Sequence, residues 1–277
     1  MSFRPALLAL LLCTTVPAAA SAQDAQTPRM IELAYEITFA GFAGFRMDVA
    51  ARMDGQAYDV ESHTFKEGVL RAVTINYVGR NRAWGILGPS GAQPLGGSLS
   101  LVVGDKPRTW IAQYGAGGTV QETHNPAYKP YPHQMITDEQ RRAALDPLTA
   151  ALSAGFAGDT ACDRTIQSFD GKRRIDIILK KVGTEPAGST GVPGAQGDAL
   201  VCELHTQRVA GEFDDAPKEA ESEKQRPMKI WLVRLDSTNM RYPVRLEAQT
   251  GFGTIRGKTL TFRQRPLTED ERVAMRR

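Results

Sequence analysis

Apolar and polar residues alternate along two neighbouring segments near the start of the chain. Apolar residues occupy every second position at 31–39, and the same alternation returns at 45–53. A period of two places one side of a β-strand against a core, so both segments are predicted strands. Asp54-Gly55 then favours a tight hairpin into a third strand at 56–65, because both residues tolerate positive φ.

Strand signals continue through most of the chain. Further strands are predicted at 69–77, 79–87, 106–114, 173–179, 199–206, 228–235, 242–250 and 253–262. A stretch rich in Gly, Pro and Ser at 88–98 separates two of them. Exposed loops are predicted at 184–197 and 213–226, with a docking or lid element as the alternative. The fold class is mainly β: an antiparallel, strongly curved sheet or half-open barrel, built as a meander.

One segment, at 137–155, departs from the strand pattern and is predicted to be helical. Thr137 and Gln140 have the spacing of a capping box, in which each side chain bonds to the other residue's backbone N–H. Asp146-Pro147 predicts a second helix start, with proline at the first helical position. The apolar face of this patch is expected to pack on the sheet.

The first 22 residues have the composition of a secretory signal peptide. Arg4 provides a positive start, and the apolar run at 6–15 is too short to span a bilayer. Small residues at 20–22 predict cleavage after Ala22 and export to the periplasm. The expected organisation is a cleaved signal at 1–22, a single β-rich domain at 23–265, and a polar tail at 266–277 that frays.

Export changes how the cysteines are interpreted. Cys13 lies in the signal peptide, which leaves Cys162 and Cys202 as one pair in an oxidising compartment. A disulfide between them is the default expectation. The pair lacks the CxxC spacing of most redox and metal sites, although a redox-active or metal-binding pair is the alternative.

Composition and charge exclude several functional classes. The chain has 277 residues, 42% of them hydrophobic, and a formal net charge of +3. No second apolar run approaches the ~20 residues of a membrane-spanning helix, so an integral membrane protein is not expected. The basic residues are dispersed rather than clustered with aromatics, which argues against nucleic acid as a partner.

Candidate chemistry is sparse. The four histidines (His63, His124, His133 and His205) form no close-spaced ligand motif, so no metal site is predicted, although a His124–His133 metal pair is the alternative to two surface residues. The chain has no nucleophile elbow and no phosphate-binding glycine loop. We therefore predict no catalytic residue and no cofactor, while carboxylate pairs formed by folding stay open.

Several short motifs, taken in their order and spacing, resemble a bacterial exported family known as domain of unknown function 3108. They are Tyr35-Glu36-Ile37 before Gly41-Phe42, Asp146-Pro147-Leu148-Thr149-Ala150, Cys162-Asp163-Arg164-Thr165, Phe169-Asp170-Gly171-Lys172-Arg173-Arg174, Val201-Cys202, Ile230-Trp231-Leu232 and Tyr242-Pro243-Val244. The resemblance covers nearly all of the mature chain. It implies a periplasmic, β-rich protein and no particular activity.

Two further groups of residues are candidate sites. Asp163, Arg164, Arg173 and Arg174 are expected either to form ion pairs that brace the disulfide region or to build an anion site. The tryptophans Trp84, Trp110 and Trp231 are candidate ligand-facing aromatics, with a plain core role as the alternative for Trp84 and Trp231.

These observations favour a non-enzymatic protein that binds an apolar or amphipathic envelope ligand or supports envelope integrity. The two alternatives are an assembly factor that binds an envelope protein, and a hydrolase acting on envelope polysaccharide or lipid. A deep apolar cavity would favour the first, an exposed apolar patch the second, and activated polar groups in a cleft the third. The sequence identifies neither a ligand nor a protein partner.

Overall fold

The computed structural model describes residues 28–72, 76–88, 91–211, 227–251 and 253–275. The predicted signal peptide at 1–22 and the predicted loop at 213–226 lie outside the described residues. The strands are β1 Arg29–Phe39, β2 Phe42–Asp54, β3 Ala57–Lys66, β4 Tyr77–Gly88, β5 Gly91–Val103, β6 Lys106–Tyr114, β7 Val120–Asn125, β8 Arg164–Phe169, β9 Arg173–Pro186, β10 Gln196–Gly211, β11 Met228–Arg234, β12 Tyr242–Thr250 and β13 Gly253–Pro266. The α-helices are α1 Asp138–Arg141, α2 Pro147–Phe156 and α3 Glu269–Met275.

All the described strands belong to one antiparallel sheet, in the order β7-β6-β5-β4-β3-β2-β1-β13-β12-β11-β10-β9-β8. Apart from β7 and β8, strands that are consecutive in the chain are neighbours in the sheet, which is the pattern of a meander. The first strand, β1, lies in the middle because it pairs with both β2 and β13. The sheet is curved and not closed, so the predicted fold class is confirmed.

The two edge strands, β7 and β8, are joined by the helical segment rather than by a ladder. Leu145, just before α2, donates its N–H to the Gln167 carbonyl at 2.9 Å and accepts the N–H of Phe169 at 2.9 Å. The Phe169 ring of β8 also meets the Trp110 ring of β6 edge-on, with centroids 5.9 Å apart. The helical segment therefore covers the open edge of the sheet.

Both predicted helix starts are confirmed by their hydrogen bonds. The Thr137 N–H donates to Gln140 Oε1 at 2.9 Å, and the Gln140 N–H donates to Thr137 Oγ1 at 3.2 Å, which is a capping box at α1. Asp146 Oδ1 accepts the N–H groups of Leu148 and Thr149, both at 3.0 Å, at the start of α2.

Helix α2 packs into the concave side of the sheet, as its apolar face predicts. Leu152 is buried in the main core cluster with residues of β1, β3 and β12. Ala150 is buried in a second cluster around the cysteines. The Thr149 hydroxyl lies 2.8 Å from the Tyr58 hydroxyl of β3 and fixes the helix to the sheet. Leu148 and Phe156 are half-buried against the main cluster.

The Asp146 carboxylate caps α2 at an energetic cost. Burial raises its pKa, while the N–H bonds of Leu148 and Thr149 act in the opposite direction. Its second oxygen, Oδ2, has no hydrogen-bond partner among the described residues. Burial thus makes the ionised form less favourable here than in water, and a neutral side chain of the same shape suits this position.

We expect Asp146→Asn to keep the free energy of unfolding at neutral pH within about 1 kcal/mol of wild type, because asparagine is an equally good N-cap. Asp146→Ala should lose about 0.5–2 kcal/mol, since the cap is gone. A carboxyl with a raised folded-state pKa favours folding more as the pH falls. The difference in free energy of unfolding between the asparagine variant and wild type, measured by urea denaturation, should therefore become smaller from neutral to mildly acidic pH. A difference that grows as the pH falls would contradict this explanation.

Two predictions of local structure were wrong, and one helix was not predicted. The segment predicted as a strand at 69–77 begins with a 3-10 helix at Gly68–Ala72 instead. The stretch at 88–98 was not predicted as a strand, yet β5 runs through most of it. The tail, expected to fray, contains α3, where Glu271 binds Arg265 (Nη2–Oε1 2.6 Å) and the Thr268 N–H (2.9 Å).

Candidate functional site

An apolar cavity of about 440 Å³ lies between the concave face of the sheet and α2. Three strands and one side of the helix supply most of its lining: Ile31, Leu33, Tyr35 and Ile37 of β1; Met47, Val49 and Ala51 of β2; Tyr242, Val244 and Leu246 of β12; and Leu148, Ala151, Leu152 and Gly155 of α2. Val60 of β3 and Ile230 of β11 also contribute. Its volume falls in the ~300–1,000 Å³ range of small-molecule sites.

The alternation of β1 and β2 builds this lining directly. Leu33 pairs with Val49, and Tyr35 pairs with Met47, so the two apolar rows lie side by side on one face of the sheet. Ile255 and Gly257 of β13 continue the lining on the other side of β1. Gly257 leaves room there: a Cβ at this position would meet only Leu246, at 3.7 Å.

The cavity opens towards the far end of β1. Exposure rises along this strand from 1% at Ile31, which is packed in the core, to 39% at Phe39. Ile37, Met47 and Leu246 are half-buried at the same end. The apolar rows therefore form packed core near α2 and accessible cavity wall further out.

The polar groups at the cavity border are already engaged. Burial raises the pKa of the Tyr35 and Tyr242 hydroxyls, so both stay protonated at neutral pH. Tyr242 donates to Asp236 Oδ2 at 2.7 Å. The Arg241 guanidinium donates through Nη2 to Asp159 Oδ1 at 2.7 Å and through Nη1 to the Asp198 carbonyl at 2.7 Å.

Arg245 borders the cavity in a fixed orientation. Its guanidinium lies 4.4 Å from the centre of the Trp231 ring and donates through Nη2 to Glu247 Oε1 at 2.6 Å. The described lining contains no carboxylate, imidazole or serine hydroxyl. Such a cavity can hold an apolar group but offers little for acid–base chemistry.

A second, larger depression of about 830 Å³ has a mixed lining of charged and apolar residues, Trp110 among them. Its lining includes Glu32 and Ala34, which alternate with the cavity-lining residues of β1. Several charged side chains of this lining pair with one another: Arg46 Nε lies 2.9 Å from Asp48 Oδ1, and Arg82 Nε lies 3.6 Å from Glu61 Oε1. This is the pattern of a solvated outer surface, where such pairs contribute little to stability.

The three tryptophans named as candidate ligand-facing residues do not line the apolar cavity. Trp84 of β4 lies over Gly96, where a Cβ would overlap its ring. Trp110 is buried against Phe169 and donates its Nε1–H to Glu122 at 3.0 Å. Trp231 is buried in the core beneath Arg245.

The four residues predicted to form ion pairs or an anion site, Asp163, Arg164, Arg173 and Arg174, each make separate contacts. Asp163 Oδ1 accepts the Lys181 N–H at 2.9 Å, and Arg164 Nη1 donates to the Ser153 carbonyl at 3.4 Å. Arg173 pairs with Asp170 (Nη2–Oδ2 2.7 Å), while the buried Arg174 pairs with Asp176 (Nη1–Oδ1 2.6 Å). Arg173 and Arg174 thus pair with other carboxylates, and Arg164 with a backbone carbonyl, so these contacts do not bring the four residues together.

The predicted cysteine pair is joined. Cys162 and Cys202 form a disulfide with a Cα–Cα distance of 5.8 Å, which ties the segment after α2 to β10.

Of the histidines, His124 lies 3.2 Å from Glu122 Oε2, and His133 stacks on Tyr131. Within the described ranges no three His, Cys, Asp or Glu side chains are grouped to hold a metal ion. No described helix has both the length and the apolar character needed to cross a membrane.

Sequence patterns could find one part of this site but not another. The rows in β1 and β2 follow directly from alternation, and Ile255 and Gly257 alternate with Arg256 and Lys258 in β13. The contribution of α2 and the Arg241–Asp159 pair depend on residues far apart in the chain, and no local pattern marks them.

Comparisons with known proteins support a family but no function. A comparison with curated proteins finds no significant match. Among solved structures the chain is similar to a β-barrel-like protein of domain of unknown function DUF1849 from Brucella abortus, at 12% identity and a TM-score of 0.45, over 87% of this chain and 99% of that one. The family described as "Protein of unknown function (DUF3108)" matches residues 32–259, and the chain therefore belongs to that family.

Proposed function

We propose that the protein acts in the periplasm as a non-enzymatic carrier or sensor of an amphipathic envelope ligand. The cavity would bind the ligand's acyl chain or another apolar group of similar size. The observation that carries this is the cavity of about 440 Å³, walled almost entirely by apolar side chains and open at one end. Transfer of apolar surface from water into such a site is favourable by about 25 cal/mol per Å².

The polar end of the ligand would face the opening. The cavity's inner end is closed by packed core around Ile31 and Leu152. A charged headgroup buried there would meet no free partner in the described lining, which is a costly arrangement. The periplasmic location rests on the predicted signal peptide, and export of a reporter fused after residue 22 tests it independently.

A cavity-filling variant tests the binding site. We expect Gly257→Leu to weaken binding of a fluorescent long-chain fatty acid about tenfold or more, because the new side chain occupies the cavity next to Leu246. Binding is followed through the probe's own fluorescence, since the three tryptophans lie outside the cavity lining.

Gly183→Leu provides the matched control. Gly183 is also a strand glycine, lies in β9 outside the cavity, and has open space around the position of a Cβ. This variant should bind the probe like wild type. Equal affinity in wild type and Gly257→Leu, or no saturable binding by wild type, would contradict the proposal.

A further inference from the structure

Exposed apolar side chains form a rim at the open end of the cavity. This apolar rim consists of Phe39, Phe42, Val69 and Val103, all exposed. Phe42 is 64% exposed at the turn between β1 and β2, and Val69 is 55% exposed in the adjacent 3-10 helix. Side chains as exposed as those of Phe42 and Val69 bury little apolar surface in the fold, so their grouping with other exposed apolar residues indicates a contact surface.

Hydrogen bonds and packing hold the parts of the rim together. The Glu67 N–H donates to the Gly44 carbonyl at 2.7 Å, which seats the 3-10 helix against the start of β2. Gly44 is closely flanked by Phe39 on one side and Leu70 on the other. The 3-10 helix is thus held against β1 and β2, and Val103 joins them through its cross-strand partner Tyr77, whose ring packs on Phe45.

The rim is continuous with the cavity. The Phe39 ring packs edge-on against Phe45, with centroids 5.9 Å apart, and Phe45 packs likewise against Tyr77 at 5.0 Å. Phe45 pairs across the sheet with Ile37, and Phe39 pairs with Ile255; both partners line the cavity. An apolar path therefore leads from the rim into the cavity.

The surroundings of the rim are basic. The described strand ends and turns at this end of β1–β6, β12 and β13 carry eight basic and four acidic side chains, a surplus of four positive charges. The basic ones are Arg46, Lys66, Arg71, Lys106, Arg108, Arg245, Arg256 and Lys258, and the acidic ones are Glu36, Glu67, Asp105 and Glu247. A basic surface is attracted to anionic lipid headgroups.

We propose that the apolar rim docks on the surface of a lipid bilayer that contains anionic lipid, so that an acyl chain passes between the bilayer and the cavity. This inference rests on the proposed function, because a docking site is useful to a carrier only if the cavity accepts the chain. Phe42 and Val69 would insert at the headgroup boundary, while the basic residues contact the headgroups.

Flotation with phosphatidylcholine vesicles, with and without phosphatidylglycerol, tests the docking. We expect wild type to bind the anionic vesicles more tightly, and high salt to weaken that binding. The double variant Phe42→Asp/Val69→Asp should lower the vesicle affinity about tenfold or more while leaving the affinity for a soluble fatty-acid probe unchanged.

Leu95→Asp/Val182→Asp is the matched control, because both side chains are 48% exposed and lie outside the rim. It should bind vesicles like wild type, and unchanged circular dichroism verifies folding of all variants. An equal loss of vesicle affinity in both double variants, or equal binding of wild type to neutral and anionic vesicles, would contradict the proposed docking surface. A wild type that binds the probe but no vesicles also overturns it, whereas vesicle binding without probe binding overturns the proposed function instead.

Discussion

Removal of the Cys162–Cys202 disulfide should lower the free energy of unfolding by about 2–5 kcal/mol. The bridge joins cysteines 40 residues apart. In the chain-entropy account, release of such a loop in the unfolded state is worth roughly 4 kcal/mol. That is a large share of the ~5–15 kcal/mol that stabilises a typical domain.

The surroundings of the bridge add a packing reason. Both cysteines are buried, in a cluster with Ala150 of α2 and with Leu200 and Leu232 of the sheet. The link therefore fixes the segment after the helix onto β10, and its loss should loosen the way α2 is held against the sheet.

Urea denaturation of Cys162→Ala/Cys202→Ala, beside wild type with and without a thiol reductant, measures the effect. Alanine avoids leaving a buried hydroxyl or a free thiol. Reductant should destabilise wild type and have no effect on the double variant. A free energy of unfolding of the double variant within about 0.5 kcal/mol of wild type would mean that the disulfide does not stabilise the fold.

Local sequence signals predicted the elements whose form depends on near neighbours. Alternation placed β1 and β2, and the capping box at Thr137 and the Asp146-Pro147 pair placed the two helix starts. In each case the decisive contacts lie within four residues or across one hairpin. The two runs of hairpin-connected strands followed from the same signals, because a meander pairs strands that are adjacent in the chain. The pairing of β1 with β13 joins distant segments and was not predicted.

The errors arose where distant contacts override local preference. β5 contains Gly91, Pro94 and Gly96, residues that disfavour strands, yet Gly96 is needed because the Trp84 ring of β4 covers its α-carbon. Helix α3 is polar and short, but Arg272 Nε reaches Asp54 Oδ2 of β2 at 3.3 Å. Neither contact is encoded within the segment itself.

The candidate site shows the same division. The part of its sheet wall in β1 and β2 was predictable from the two apolar rows, whereas its helix wall required α2 to lie inside the curve of the sheet. The tryptophans were named for their chemistry alone, and the fold places each of them elsewhere. Apolar alternation predicts which face of a strand is buried, but not whether that face is filled or left partly open.

Leu152→Ala should be the most destabilising single substitution in α2, at about 2–5 kcal/mol of unfolding free energy. Leu152 is buried in the main cluster beside Ile31 and Val60 and also forms part of the cavity wall. Truncation there removes packing on one side and enlarges the existing cavity on the other. Because the strands hold the cavity wall in place and it cannot collapse inward, the loss of unfolding free energy should exceed the loss caused by truncating an exposed leucine.

Leu148→Ala and Leu95→Ala make the comparison quantitative in urea denaturation. Leu148 is half-buried against the same cluster, so its truncation should cost less than that of Leu152, and the exposed Leu95 should cost under about 0.5 kcal/mol. If Leu152→Ala and Leu95→Ala had the same midpoint, α2 would contribute nothing to the core. In that case the cavity would lack its helix wall in solution, and the fatty-acid probe should bind both variants alike.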